Sequence, residues 1–189
     1  MEDELKTPEE LRRFKSVGRD VKIYRFAQII KPEFISIGHG CQIDDFAWIH
    51  GGRGLDIGNR VHLCAFVTTA GGGVVKMGNY VGIAAGVRIV SGSDNFSGRG
   101  LTNPCIPAEF RSVDRSYVEI GDHAVILTNA IVLPGVRIGE GAVVMPGAIV
   151  RENLDPWGFY GGNPAAFVCN RPSKRIHEMT QQMIEKYGY

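Results

Sequence analysis

Three sets of side chains in this sequence are equipped for chemistry. The first is the polar, turn-rich run Ser93-Asp94-Asn95-Phe96-Ser97-Gly98-Arg99-Gly100, which puts a carboxylate beside a carboxamide. A carboxylate can hold an ammonium through a charge-assisted hydrogen bond, and takes up a proton near neutrality only if burial raises its pKa. The second set is basic. Arg99, Arg111 and Arg115 follow closely, and guanidinium groups grip phosphate oxygens bidentately, so they could meet a diphosphate. The third set is the histidines, the side chains whose pKa suits a general base. His39, His50 and His62 recur along one half of the chain, His123 lies further on and His177 is near the end. His62 and His123 are the preferred reserves for a base. Each set has a plainer reading: Asp94 capping a turn, arginines as solvated charges, histidines facing outward without chemistry. Cys41, Cys64, Cys105 and Cys169 are scattered without metal or redox spacing, and no metal site is expected.

The elements that must position these groups are written in a repeat. Ile29, Ile49, Thr69 and Ile89 are twenty residues apart, as are Ile37, Ile57 and Met77, each followed by glycine. Within the twenty, aliphatic residues recur six apart, as in Ile37, Ile43 and Ile49, leaving one step of eight. A stricter run of sixes follows: Ile120, Ile126, Val132, Ile138, Val144, Val150. A second row of small or β-branched residues lies four positions further on, from Cys41 and Ala47 to Ala142 and Ala148. Six-residue spacing suits a short strand, a tight corner and another short strand. Three such sides close a triangular coil, and stacked coils lie about 4.8 Å apart. The expected fold is an all-β solenoid, a parallel β-helix of hexapeptide repeats.

One side breaks the rule. From Ile89 to Glu119, 31 residues stand where eight are expected, an insertion of 23 residues at 93–115. An insertion that interrupts a regular side maps to one face, often the binding face. Thr7-Pro8-Glu9-Glu10 reads as a capping box with proline at the first helical position, so a short helix is expected to about Lys15. Ile176, Met179, Met183, Ile184 and Tyr187 have helical spacing. The organisation is therefore an N-terminal helical segment (1–16), the β-helix with its loop (17–168) and a C-terminal helix (169–189).

Composition bounds the function. With 189 residues, the chain has length for one domain. Its 21 basic and 20 acidic residues nearly cancel, leaving no electrostatic footprint for nucleic acid. No apolar run is long enough to insert in a membrane and no signal peptide is expected, so a reducing cytoplasm is the default.

The stretch from Ile120 to Val150, with Gly161-Gly162-Asn163-Pro164-Ala165 after it, resembles the C-terminal coils of the hexapeptide-repeat acyltransferases. Loop placement is similar to the sugar acetyltransferases related to galactoside, maltose and colanic-acid acetyltransferases. That resemblance implies a left-handed β-helix, an exception to the right-handed crossover rule, a homotrimer, and acetyl-CoA between two subunits. It places Thr128, Pro146, Gly147 and Ala148 along the pantetheine arm, and Arg151, Pro164 and Arg171 at the nucleotide end of CoA. It departs from the family where Arg151-Glu152 replaces a common Thr-Lys pair and Ala166 replaces a lysine.

The most telling departure is at the start of the loop, where the family carries a catalytic histidine and this chain has Asp94. A sugar hydroxyl needs a base with a pKa near working pH, whereas aspartate titrates near 3.9. A neutral amine attacks a thioester without one. The expectation is thus an acetyl-CoA-dependent N-acetyltransferase acting on an amino sugar, carried on a nucleotide and used for surface polysaccharide, with Asp94 and Asn95 at the amine. Arg99 and Arg111 would contact the acceptor. The alternatives are a sugar O-acetyltransferase using His123 or His62, and a zinc-dependent carbonic-anhydrase-like β-helix, which lacks its His-x4-His pair here.

Overall fold

The computed structural model describes residues 4–189. The six-residue step becomes three flat walls of parallel strands. The first wall stacks Ser16–Val17, Ile35–Ile37, Gly54–Ile57, Val74–Met77, Tyr117–Ile120 and Val136–Ile138. The second runs from Lys22–Ile23 through Gln42–Ile43, His62–Leu63, Gly82–Ile83 and Val125–Ile126 to Val143–Val144 and Gly158–Gly161. The third stacks Gln28–Ile30, Trp48–His50, Thr68–Ala70, Arg88–Val90, Ile131–Val132 and Ile149–Val150. Register follows the twenty-residue period: Ile29 lies against Ile49 and Ile49 against Thr69. The aliphatic row fills the axis, with Ile43, Ile49, Leu63, Ile83, Ile89, Ile126 and Val132 each at most 1% exposed.

Most corners turn on a residue with left-handed backbone, which gives three vertical columns. Asp20, Gly40, Arg60, Tyr80, His123, Gly141 and Trp157 form the column between the first and second walls, with φ from 56° to 65°. Phe46, Phe66, Gly86, Asn129 and Gly147 form the next, between the second and third walls. Lys31, Gly52, Gly71, Gly72 and Gly135 lie between the third wall and the first.

The ends depart from the repeat. Helix α1, Pro8–Leu11, has its capping box, with Thr7 Oγ1 accepting from the Glu10 backbone N–H and Glu10 accepting from that of Thr7. It stops short of Lys15, because Phe14 turns into the core and Ser16 already starts the first wall. At the other end Ala166–Asn170 is an antiparallel strand against Gly158–Gly161. Only after it does helix α2, Lys174–Tyr187, begin. Helix α2 lies along the first-to-second corner. His177 packs edge-on to Trp157 at 4.9 Å, while the Tyr189 ring lies tilted against His39 at 4.9 Å and under the Arg60 guanidinium at 4.7 Å. No helix among the described residues is long and apolar enough to cross a membrane.

Candidate functional site

The inserted loop starts as an antiparallel ribbon, Gly92–Asp94 against Val113–Arg115, that rises from the third-to-first corner. Asn95, expected at the chemistry, is instead the loop's internal fastening. It is 8% exposed, its Nδ2 donates to Asp114 Oδ2 at 2.6 Å, and its Oδ1 accepts from Ser97 Oγ and N. All three of these bonds are made within the loop.

Between this ribbon and the third wall opens a cavity of about 650 Å³ lined by Lys31, Trp48, His50, Arg53, Asp94, Arg111 and Arg115 among others. That size accommodates a small-molecule ligand. Asp94 is buttressed on both oxygens: Arg111 Nη2 donates to Oδ1 at 2.7 Å, and the Asn103 backbone N–H donates to Oδ2 at 2.8 Å. The Arg111 hydrogen bond, then that from Asn103, hold its carboxyl below the usual carboxylate range. Asp94 is therefore a fixed anion with free lone pairs, suited to receive N–H donors and unsuited to take protons at neutral pH. Arg111 Nε is buried without a protein partner.

The cavity's other charges are positive. Arg115 Nη1 donates to the Gly71 carbonyl at 3.1 Å, and its guanidinium crosses the corner against Gly72, whose φ of 67° favours glycine. Lys31 and Arg53 complete the cationic wall. His50 is here as well. Its Nδ1 accepts the Gly52 N–H at 2.9 Å, and burial, then the charges of Lys31 and Arg115, lower its pKa. The imidazole is neutral with its remaining proton on Nε2, a donor rather than a base.

Two polar residues inside the core explain how this face is held. Thr69 interrupts the aliphatic row, 1% exposed, and its Oγ1 accepts from His50 N at 2.8 Å and donates to His50 O at 3.1 Å. Buried Ser91 likewise donates to Ala70 O and accepts from Gly73 N. Both exceptions to the apolar pattern sit beneath the cavity.

The reserve bases lie elsewhere. His62 is on the outer face of the second wall, its Nε2 3.0 Å from Asp44 Oδ2. His123 is stacked on Tyr80 at 4.8 Å in the first-to-second column, where burial lowers its pKa despite nearby Asp122 and Glu140. Neither lines the cavity with Asp94. Arg99 is exposed in the loop and also outside the lining, so of the two arginines expected at the acceptor only Arg111 is there. Lys31, Trp48 and Arg53 were missed, and His50 was named among the histidines but not preferred. The twenty-residue register could have found them, since positions 31, 51 and 71 mark the corner from which the loop departs.

Of the groups assigned to CoA, Thr128, Pro146 and Gly147 are exposed at the second-to-third corner. Ala148 is 0% exposed, so only its backbone can take part. Pro164 and Arg151 are exposed at the top of the coil. Arg171 is different: its Nη1 donates to the carbonyls of His123 and Gly141, 2.9 Å each, on the neighbouring corner. It clamps the wall rather than awaiting a phosphate. Two groups of mixed ligands, Asp44/His62/Cys64 and His123/Glu140/His177, gather within 4.8 Å, but neither is the three-histidine set of the anhydrase reading.

Residues 117–152 match the family description "Bacterial transferase hexapeptide (six repeats)". Over 93 residues, 49% of this chain and 48% of the relative, the sequence is 34% identical to dTDP-4-amino-4,6-dideoxy-D-glucose acyltransferase of Escherichia coli; the match thus spans about half that relative's length. The solved structure of AntD, an N-acyltransferase from Bacillus cereus in complex with dTDP and 3-hydroxybutyryl-CoA, is 32% identical, with a TM-score of 0.90 over 99% of this chain and 100% of that one. A variant of AntD in complex with dTDP-4-amino-4,6-dideoxyglucose and coenzyme A gives 0.89 at 32% identity, over 98% of this chain and 100% of the other. With the repeat, the loop and near end-to-end likeness to AntD together, the chain belongs to the hexapeptide-repeat acyltransferases.

Proposed function

We propose that the protein is an acyl-CoA-dependent N-acyltransferase, with acetyl-CoA as donor and a nucleoside-diphosphate amino sugar as acceptor. One observation carries this: a cavity holding an Asp94 that is ionised at neutral pH beside Lys31, Arg53 and Arg115, with no histidine free to act as base. The cations suit a diphosphate and the carboxylate suits an amine. A hydroxyl acceptor would have to surrender its proton to a base the cavity does not contain. The likeness to AntD and to the E. coli acyltransferase supports a dTDP-linked 4-amino sugar in particular.

In the reaction the neutral amine attacks the thioester carbonyl, forming the C–N bond. The C–S bond then breaks, and the proton lost by nitrogen ends on the CoA sulfur. Asp94 accepts a hydrogen bond from the amine and steadies the positive charge that grows on nitrogen during attack. Arg111 and Asn103 hold the carboxylate still. CoA lies along the exposed second-to-third corner past Thr128, Pro146 and Gly147, with Arg151 and Pro164 toward its nucleotide end.

We assign the working form as a homotrimer, which supplies the loop's exposed Phe96, Leu101 and Phe110 (78%, 57% and 59% exposed) with a neighbouring subunit to cover them. Its substrates place it in the cytoplasm, preparing sugars for surface polysaccharide. The test is turnover of dTDP-4-amino-4,6-dideoxyglucose against its 4-hydroxy analogue, with acetyl-CoA. Selective acylation of the amine is expected, and turnover of the hydroxy sugar alone would overturn the reading.

A further inference from the structure

The second-to-third corner changes character halfway up. Strand register places Phe26, Phe46, Phe66, Gly86, Asn129 and Gly147 one above another, because Gln28 pairs with Trp48, Trp48 with Thr68, Thr68 with Arg88, Arg88 with Ile131 and Ile131 with Ile149. The upper three rungs are residues at ease in the left-handed backbone, and a Cβ on Gly147 would meet nothing within 4 Å. Above Phe66 the corner carries no bulky side chain: the Asn129 carboxamide lies over Gly86, and the main chain is bare at Gly147. The lower three are phenylalanines. Phe46 and Phe66 hold φ of 64° and 63°, which a bulky residue adopts only at a cost, yet the two residues are 56% and 60% exposed. Burial within this chain does not compensate. The rings stack, 5.9 Å from Phe26 to Phe46 and 5.6 Å from Phe46 to Phe66, nearly parallel. Phe66 is thus a braced apolar stop at the foot of the track.

We propose that Phe66 sets the length of acyl group the enzyme accepts. This rests on the reading of the upper corner as the CoA track. The chain's own charges orient the arm: Asp44 and Asp45 flank the lower rungs, with Asp45 Oδ1 accepting from the Phe26 N–H, so the phosphates belong at the upper end and the thioester at the lower. An acyl chain leaving that thioester downward meets the face of Phe66. One rung is about 4.8 Å. Removing the ring therefore lengthens the pocket by about three carbon–carbon bonds of ~1.5 Å each.

The experiment is calorimetric binding of CoA, acetyl-CoA, butyryl-CoA and hexanoyl-CoA to the full chain and to Phe66→Gly, a replacement suited to the corner's backbone. In the wild type, affinity should fall from butyryl- to hexanoyl-CoA. In Phe66→Gly the order should reverse, with hexanoyl-CoA gaining about tenfold from two newly buried methylenes, and with Kd for CoA itself within twofold of wild type. An unchanged acyl order in the variant overturns the proposal. So does a variant that loses CoA affinity and its solution mass together, which would make Phe66 an assembly contact. Failure of the wild type to bind any of the four compounds defeats the acyl-CoA reading beneath it instead, and the proposal with it.

Discussion

Asp94→Asn is the sharpest perturbation of the site, because it removes the charge and keeps the shape. The carboxylate now receives Arg111 Nη2 at 2.7 Å and Asn103 N at 2.8 Å on different oxygens. A carboxamide has one oxygen, so it can satisfy one of these donors while its NH₂ faces the other. The amine also loses a charged acceptor for a neutral one. A hydrogen bond to an ionised group corresponds to about 10- to 100-fold in equilibrium or rate. The expected result is a fall of that size in kcat/KM for the amino sugar, with the KM for acetyl-CoA within about twofold. The pH profile decides what the number means. Since Asp94 is held below the usual carboxylate range, it stays ionised throughout the neutral range. Wild type and variant should both show one limb rising with pH as free amine becomes available. If Asp94 were the base, the variant would lose about 10²–10⁴-fold and the shape of its pH profile would change. That outcome, measured by thiol release from pH 6 to 9, would refute the positioning role.

Two further expectations concern stability. Thr69→Val keeps volume but leaves both backbone groups of His50 without their hydroxyl partner; a loss of about 1–3 kcal/mol should lower Tm by several degrees and raise the acceptor KM, and an unchanged Tm would mean that the hydroxyl holds nothing. His123 is kept neutral by burial, its folded pKa below the ordinary ~6.5. The unfolded state then binds more protons below that value, so stability is complete above about pH 6.5 and is lost as pH falls toward the folded pKa. Tm should be level from pH 7 to 8 and decline below 6.5. His123→Asn, tolerated at φ 59°, should flatten part of that decline, and an equal slope in the variant would assign it to His50 or other groups.

The coil was legible because every rung repeats the same packing problem. A six-residue step that buries one aliphatic and one small residue has few solutions, and Ile120 to Val150 states it five times over. Asp94 was legible because it breaks a pattern at the loop's root. What stayed hidden was lateral. Asn95 looks like a site residue in sequence because its neighbours do, and only the folded ribbon shows Asp114 and Ser97 consuming it. Lys31 and Arg53 looked like surface charge because nothing local distinguishes them; they matter through a corner shared with residues forty positions away. Arg171 matched a family position, but its guanidinium donates to the carbonyls of His123 and Gly141, which only the folded corner brings to it. Thr69 was visible as an irregularity, and its meaning required knowing which main-chain groups lay opposite.

Helix α2 has a consequence for how the molecule comes apart. In a stacked-repeat protein each coil contacts only its neighbours, so the ends can peel independently and melting can be gradual. Fourteen helical residues span about 21 Å, and the four rungs from Trp157 down to Arg60 span about 19 Å. The helix is therefore a tie of matched length, fixed at one end beside Trp157 and Glu140 and at the other by Tyr189 on Arg60, Arg19 and Asp20. Fraying at the first coil must release the same tie that fraying at the last one does. Two distant ends thus share one opening event, and a quasi-linear array acquires the all-or-none unfolding of a compact globule.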